Sequence, residues 1–411
     1  MSADPIALDK IRGARRWKDP QATMGLRLLG IKTTDPRFTQ LKQSLWEGDV
    51  LTDEVANWIQ ANRGGWALFQ QALTQGIHSQ PDAPECFKAL FAQVDRRPAW
   101  VDDELMQHGA NAVLRSGLYG STALGACSLM IGYAADAADA AVKPLAMTAN
   151  LSQGARKRLS ETSRWTIDCA TSGILTRHSE GFHSTLRVRL MHAFVRQSLK
   201  SHPKWQFDAW GEPIMQLDMV ATQLEFSTVF IAGCAAQGLL FSAKEREAIM
   251  HYYRYVCWLM GVDEALQPTT FREGLELAAM LHATSNMSPD QDSVALTTGL
   301  FNALRDIVND QPGAPWVKQL MMYRSAALTR LMLGDDVSNR MQVPPAPAKA
   351  SILLMSAATL LVDQSLGLTR VGRKLRNRIG RQQFIAGSEA NNFGFIPTMK
   401  GKKLVAEASA A

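Results

Sequence analysis

The sequence has few cysteines, five in 411 residues, and no two of them form a CxxC. Cys86, Cys127, Cys169, Cys234 and Cys257 lie far apart among mostly apolar or small neighbours, and their number is odd. This excludes a disulfide scaffold and favours reduced, buried thiols. HExxH, GxSxG, P-loop and GxGxxG patterns are also missing, which removes most of the weight from zinc-protease, serine-hydrolase and nucleotide-binding readings. Neither sign of charge dominates: 44 Lys and Arg face 38 Asp and Glu, and the resulting +6 is too diffuse to indicate nucleic acid. The longest uncharged stretch, Ser116 to Ala135, is interrupted by Gly117, Gly120, Gly125 and Gly132, so it reads as a tightly packed internal helix rather than a membrane span. Arg15 and Arg16 are followed by no apolar run of the kind a Sec or twin-arginine signal needs, which leads to the expectation of a cytoplasmic protein.

What is present is an ordinary globular composition, 46% hydrophobic and 20% charged. Apolar residues recur at helical spacing, as in Leu145, Leu151, Leu159 and again in Leu320, Leu328, Leu331, while alternating β-branched runs are scarce. The fold class is therefore all-α. Helix breaks fall at Pro81 to Pro84, Arg97 to Pro98, Ser201 to Pro213, Ser288 to Ser293, Asn309 to Pro315 and Val343 to Pro347. These suggest an N-terminal helical layer over residues 1–90, a core over 91–342, C-terminal helices over 343–385 and a loose tail over 386–411.

One histidine of the eight stands in an unusual setting. In LRVRLMHAFVRQSL, Leu186 to Leu199, helical spacing puts Val188, His192, Val195 and Leu199 on one stripe, so the imidazole lies in an apolar face. Its partner is either a backbone carbonyl or buried acid, or a metal in an apolar cavity. For a single His from a helix, such a metal means haem iron. Arg187, Arg189 and Arg196 flank it, and guanidinium groups suit paired carboxylates such as haem propionates.

A second helix, GARKRLSETSRWTIDCATS from Gly154 to Ser172, places Arg158, Thr162 and Trp165 at i, i+4 and i+7, with Glu161 at the edge of that face. The face is either solvated, with an Arg158–Glu161 or Arg158–Thr162 contact, or turned toward a site. Further on, LTRVGRKLRNRIGR, Leu368 to Arg381, sets Leu368, Val371, Leu375 and Ile379 on one stripe among six Lys or Arg. It is a solvated basic helix or a peripheral contact for an anionic membrane over residues 368–381.

RLSET at Arg158 to Thr162, RVRLMHAFVR at Arg187 to Arg196, GEPIMQLD at Gly211 to Asp218 and HYYRYVCWLMGV at His251 to Val262, with RRPAWVDDELMQHGA upstream, together resemble the oxygenase family that groups latex-clearing proteins (rubber oxygenases) with MpaB-type proteins. The resemblance runs from about Arg96 to Met332. It implies a globin-like helical core, with additional N- and C-terminal helices, enclosing haem b. It also implies His192 as the proximal iron ligand, Arg158, Glu161 and Thr162 as distal catalytic positions, and Arg189, Arg196 and Trp165 as cofactor-binding residues. Rubber-cleaving members carry a lysine where this sequence has Glu161, which reverses the local charge and points to the MpaB-like branch.

The function these readings support is a haem-dependent oxygenase or oxidase using dioxygen on an apolar small-molecule substrate. The alternatives are a non-catalytic globin-like haem or gas-binding protein, and a haem-free helical scaffold in which His192 is structural.

Overall fold

A computed structural model describes residues 17–134, 143–148, 154–285 and 288–389. Every regular element among them is helical. The helices that position the site are α1 (Val50–Ala61), α2 (Glu85–Asp95), α3 (Asp103–Arg115), α4 (Gly117–Ala123), α5 (Leu129–Ala134), α6 (Ala155–Thr171) and α7 (Glu180–Lys200). They continue with α8 (Gln216–Phe226), α9 (Thr228–Ala236), α10 (Ala243–Leu259), α11 (Phe271–Thr284), α12 (Gln291–Asp310), α13 (Pro315–Arg340), α14 (Ser351–Gly367) and α15 (Arg370–Glu389).

Local chemistry sets several of these helix starts. Asp102 caps α3 by accepting from the Leu105 N–H, and Ser179 caps α7 by accepting from the Phe182 N–H. Ser242 and Glu245 form a reciprocal capping box at α10. In α7 an acid, Glu180, lies in the first turn and a base, Lys200, in the last, which suits the helix dipole at both ends.

Helix α7 runs through the middle, packed on α6 and α1, while α3 packs along α10. One core joins these layers: Val55, Phe69 and Phe87 from the N-terminal part share it with Phe182, Leu190, Tyr252 and, from α15, Phe384. The position of α7 is fixed by two buried ion pairs with α1 and the residue before it. Arg189 donates to both Asp49 carboxylate oxygens at 2.7 and 2.9 Å, and Arg196 donates to Asp53 at 2.8 Å.

The Ser116 to Ala135 stretch is internal as far as it is described. It comprises α4, a π-helical turn over Leu124–Ser128, and α5, with Ala123, Ala126, Cys127 and Met130 buried. Other helices bond to this turn: Thr329 donates to its Ala126 carbonyl at 2.7 Å, and its Ser128 hydroxyl donates to the Glu225 carbonyl at 2.6 Å. Among the described residues one window, Gln216–Ala236, is long and apolar enough to cross a membrane, with a mean hydropathy of 1.4. It is α8 plus α9, half buried in the protein and interrupted at Ser227, whose ψ of −82° breaks the helix. Burial in the core accounts for its apolar composition.

Candidate functional site

Helices α5, α6, α7 and α8 surround a cavity of about 1660 Å³ whose walls are mostly apolar, among them Leu159, Val188, Met191, Phe194 and Val195. His192 stands on this wall. Its partial exposure is to the cavity, since the imidazole is otherwise enclosed. Among the described residues it has no hydrogen-bond partner, and its Nδ1 is buried. Burial, with the Arg196 charge adding to it, holds the imidazole down to about 4 despite the opposing influence of Asp49. At neutral pH the ring is uncharged and carries a free lone pair. A buried polar group normally finds a partner, and this Nδ1 has none among the described residues.

Arg158, Glu161, Thr162 and Trp165, one face of α6, line the same cavity. Arg158 has its Nε and Nη1 buried with no partner among the described residues. Glu161 lies 3.6 Å from Lys157, an ion pair at the edge of that face. Trp165 donates its indole N–H to Thr185 at 3.0 Å and meets Phe226 edge-on at 5.4 Å, which makes it a fixed wall panel.

The structure therefore brings together five of the seven expected site residues. Arg189 and Arg196, expected to hold a cofactor carboxylate, do not line the cavity. Their guanidiniums pair instead with Asp49 and Asp53 and donate to the carbonyls of Leu259 and Ile214, which makes them anchors of α7. His251 accepts the Asp102 N–H at 3.0 Å.

Sequence reasoning missed Glu225 and Tyr133, both of which line the cavity. The Glu225 carboxyl lies against Gly132, where a Cβ would come within 2.5 Å of its Oε1 and displace it. Burial pushes this carboxyl up to about 8, with the Asp218 charge adding to the rise. Burial likewise raises the Tyr133 phenol to about 12, and Arg158 and Glu225 both act on it electrostatically, which places the three groups on one side of the cavity. The available signal was the i, i+4, i+7 line Asp218, Thr222, Glu225 in an otherwise apolar helix.

The arrangement is an all-α protein with a large, mostly apolar cavity lined by the neutral His192 and by the polar side chains of Arg158, Glu161, Thr162 and Glu225. The comparisons give that class a family. Residues 122–362, more than half of the chain, match the family described as "ER-bound oxygenase mpaB/B'/Rubber oxygenase, catalytic domain", and the chain belongs to it. It is 23% identical over 208 residues to the rubber oxygenase of Streptomyces sp. (strain K30) and spans about half the length of that relative, 49%. A solved structure titled "Structure of Latex Clearing Protein LCP in the closed state" matches with a TM-score of 0.59 at 17% identity, over 83% of this chain and 91% of the other. The latter shows that the fold is shared.

Proposed function

We propose that this oxygenase-family chain oxygenates a hydrophobic small molecule with dioxygen by means of haem b, which His192 would hold. The observation that supports this most directly is the neutral imidazole of His192, without a hydrogen-bond partner among the described residues, on the wall of a large, mostly apolar cavity. A single helical histidine is sufficient ligation for haem. Among the described residues there is no cluster of three or more His, Cys, Asp or Glu to hold a bare ion instead.

When bound, haem would supply the iron at which dioxygen reacts. The chain's own residues do the rest. The apolar wall of Leu159, Val188, Met191, Phe194 and Val195 excludes water and selects an apolar substrate. Arg158 donates its N–H groups to oxygen atoms that enter the cavity. Glu225 is protonated at neutral pH and holds a transferable proton at its carboxyl, while Tyr133 keeps its own proton throughout the physiological range. Thr162 adds a hydroxyl, and Glu161, tied to Lys157, sets the charge at the margin.

A gas-binding protein without turnover has no need of a carboxyl tuned to change protonation near neutral pH, so Glu225 favours an enzyme over that reading. A carboxylate at Glu161 favours an apolar small molecule over polyisoprene.

The test is an absorption spectrum of the protein purified from haem-replete cells, followed by oxygen uptake with a lipid or terpenoid extract and with polyisoprene latex. The expected result is a Soret band and uptake with the extract alone. A colourless protein overturns the haem assignment, and cleavage of latex above a free-haem control overturns the substrate assignment.

A further inference from the structure

Away from the cavity, helices α14 and α15 pack against each other and expose apolar side chains on their outer faces. Leu354 is 76% exposed, Leu361 69%, Leu368 81% and Val371 77%, and Leu353 and Val362 extend the same surface. On α14 the exposed positions recur in pairs, 353/354, 357/358 and 361/362, the spacing of one continuous helical face. No charge interrupts it. Asp363, the sole ionisable residue of α14, turns inward, where its carboxylate receives Arg115 at 3.4 Å and Arg376 at 3.2 Å.

The inner side of the hairpin is firmly docked. Arg115 also pairs with Glu245 of α10 at 3.0 Å, Ser356 donates to the Ala236 carbonyl at 2.7 Å, and Ile352 and Phe384 are buried. Gly380 lies so close to the Arg115 carbonyl that any Cβ would collide with it. Because these contacts hold the inner face in place, the hairpin cannot rotate to bury the outer leucines. An exposed apolar surface of this kind marks an interaction site.

The charge around it says what covers it. Between residues 351 and 386 the chain carries one acid, the inward Asp363, and six bases: Arg370, Arg373, Lys374, Arg376, Arg378 and Arg381. All but Arg376 are exposed. A second copy of the chain, apposed through the same face, would bring like charges together. A leucine face bordered by cations matches the surface of a bilayer containing anionic lipid.

We infer that the α14–α15 hairpin is a membrane-docking surface that lays Leu354, Leu361, Leu368 and Val371 into the headgroup boundary of an anionic bilayer and sets its arginines against lipid phosphates. This enlarges the basic segment legible in the sequence, because the larger apolar face belongs to α14. It does not depend on the haem reading.

The test is co-sedimentation of the full chain with vesicles of phosphatidylcholine alone and of phosphatidylcholine with phosphatidylglycerol. The expected result is binding to the anionic vesicles that weakens as salt rises. A Leu354→Asp/Leu361→Asp double variant, with an unchanged circular dichroism spectrum and melting midpoint, should bind about tenfold or more weakly, as loss of buried apolar area requires. Leu368→Asp/Val371→Asp, at still more exposed positions, serves as a second variant if the first does not fold. Arg373→Glu/Lys374→Glu should abolish the preference for phosphatidylglycerol. Failure to bind anionic vesicles at low salt overturns the inference. So does a stable dimer in sedimentation equilibrium that the Leu354→Asp/Leu361→Asp variant dissociates, since that would make a second copy the occupant.

Discussion

Trp165 donates its indole N–H to the Thr185 hydroxyl at 3.0 Å, and this bond ties the helix that carries Arg158 to the helix that carries His192. The Thr185 hydroxyl itself donates to the Gly181 carbonyl at 2.7 Å, so the indole is held by an acceptor that is itself oriented. The separation between the imidazole and the guanidinium thus depends on a contact that belongs to neither.

Trp165→Phe removes that bond and part of a buried ring. The expected cost is about 1–3 kcal/mol. It is measured as a fall in the thermal or urea midpoint, with altered ligand spectra at the cavity. An unchanged midpoint would show that α6 and α7 are held by their apolar contacts alone.

His192→Ala should abolish the Soret band of the isolated protein, and added imidazole, entering the space left by the ring, should restore part of it. Because the imidazole has no hydrogen-bond partner among the described residues, little folding stability should be lost with it. Retention of the wild-type spectrum would remove His192 from the site.

Glu225 makes stability fall with rising pH. Its carboxyl titrates at about 8 in the fold against the usual 4.5, so between those values the unfolded chain has released a proton that the folded chain keeps. Stability is therefore full below about pH 4.5 and is progressively lost up to about pH 8. In Glu225→Gln that loss should disappear, leaving the variant relatively more stable at pH 8 by on the order of a few kcal/mol. Urea midpoints of both proteins at pH 5 and pH 8 check the sign.

Arg196→Met breaks a buried pair and leaves Asp53 without its main partner. The expected loss is about 3–5 kcal/mol of stability. Haem content per folded molecule should stay at the wild-type level. A well-folded variant that has lost haem would return Arg196 to a direct role in binding the cofactor.

The helical class was legible because its signal is local: apolar residues at a period of 3.6 and breaks at clustered prolines do not depend on distant parts of the chain. His192 was legible for the same reason, as a polar ring on the apolar stripe of Val188, Val195 and Leu199, and so was the shared face of Arg158, Thr162 and Trp165. By itself, then, the sequence determined the helices and the residues that each turns to one side. Only the tertiary structure decided what those sides meet. Arg189 and Arg196 look as available as Arg158 in the primary structure, yet their carboxylates come from 140 and 143 residues upstream, while none among the described residues pairs with Arg158. Glu225 became a cavity residue because Gly132, on a helix following a π-helical turn, leaves space for its carboxyl. Helix α14 is apolar in composition, and its outer face is bare because Arg115 and Asp363 pin the opposite face to the body. In each case periodicity orients a side chain about its own helix axis, whereas burial and pairing depend on groups that only long-range packing brings within reach.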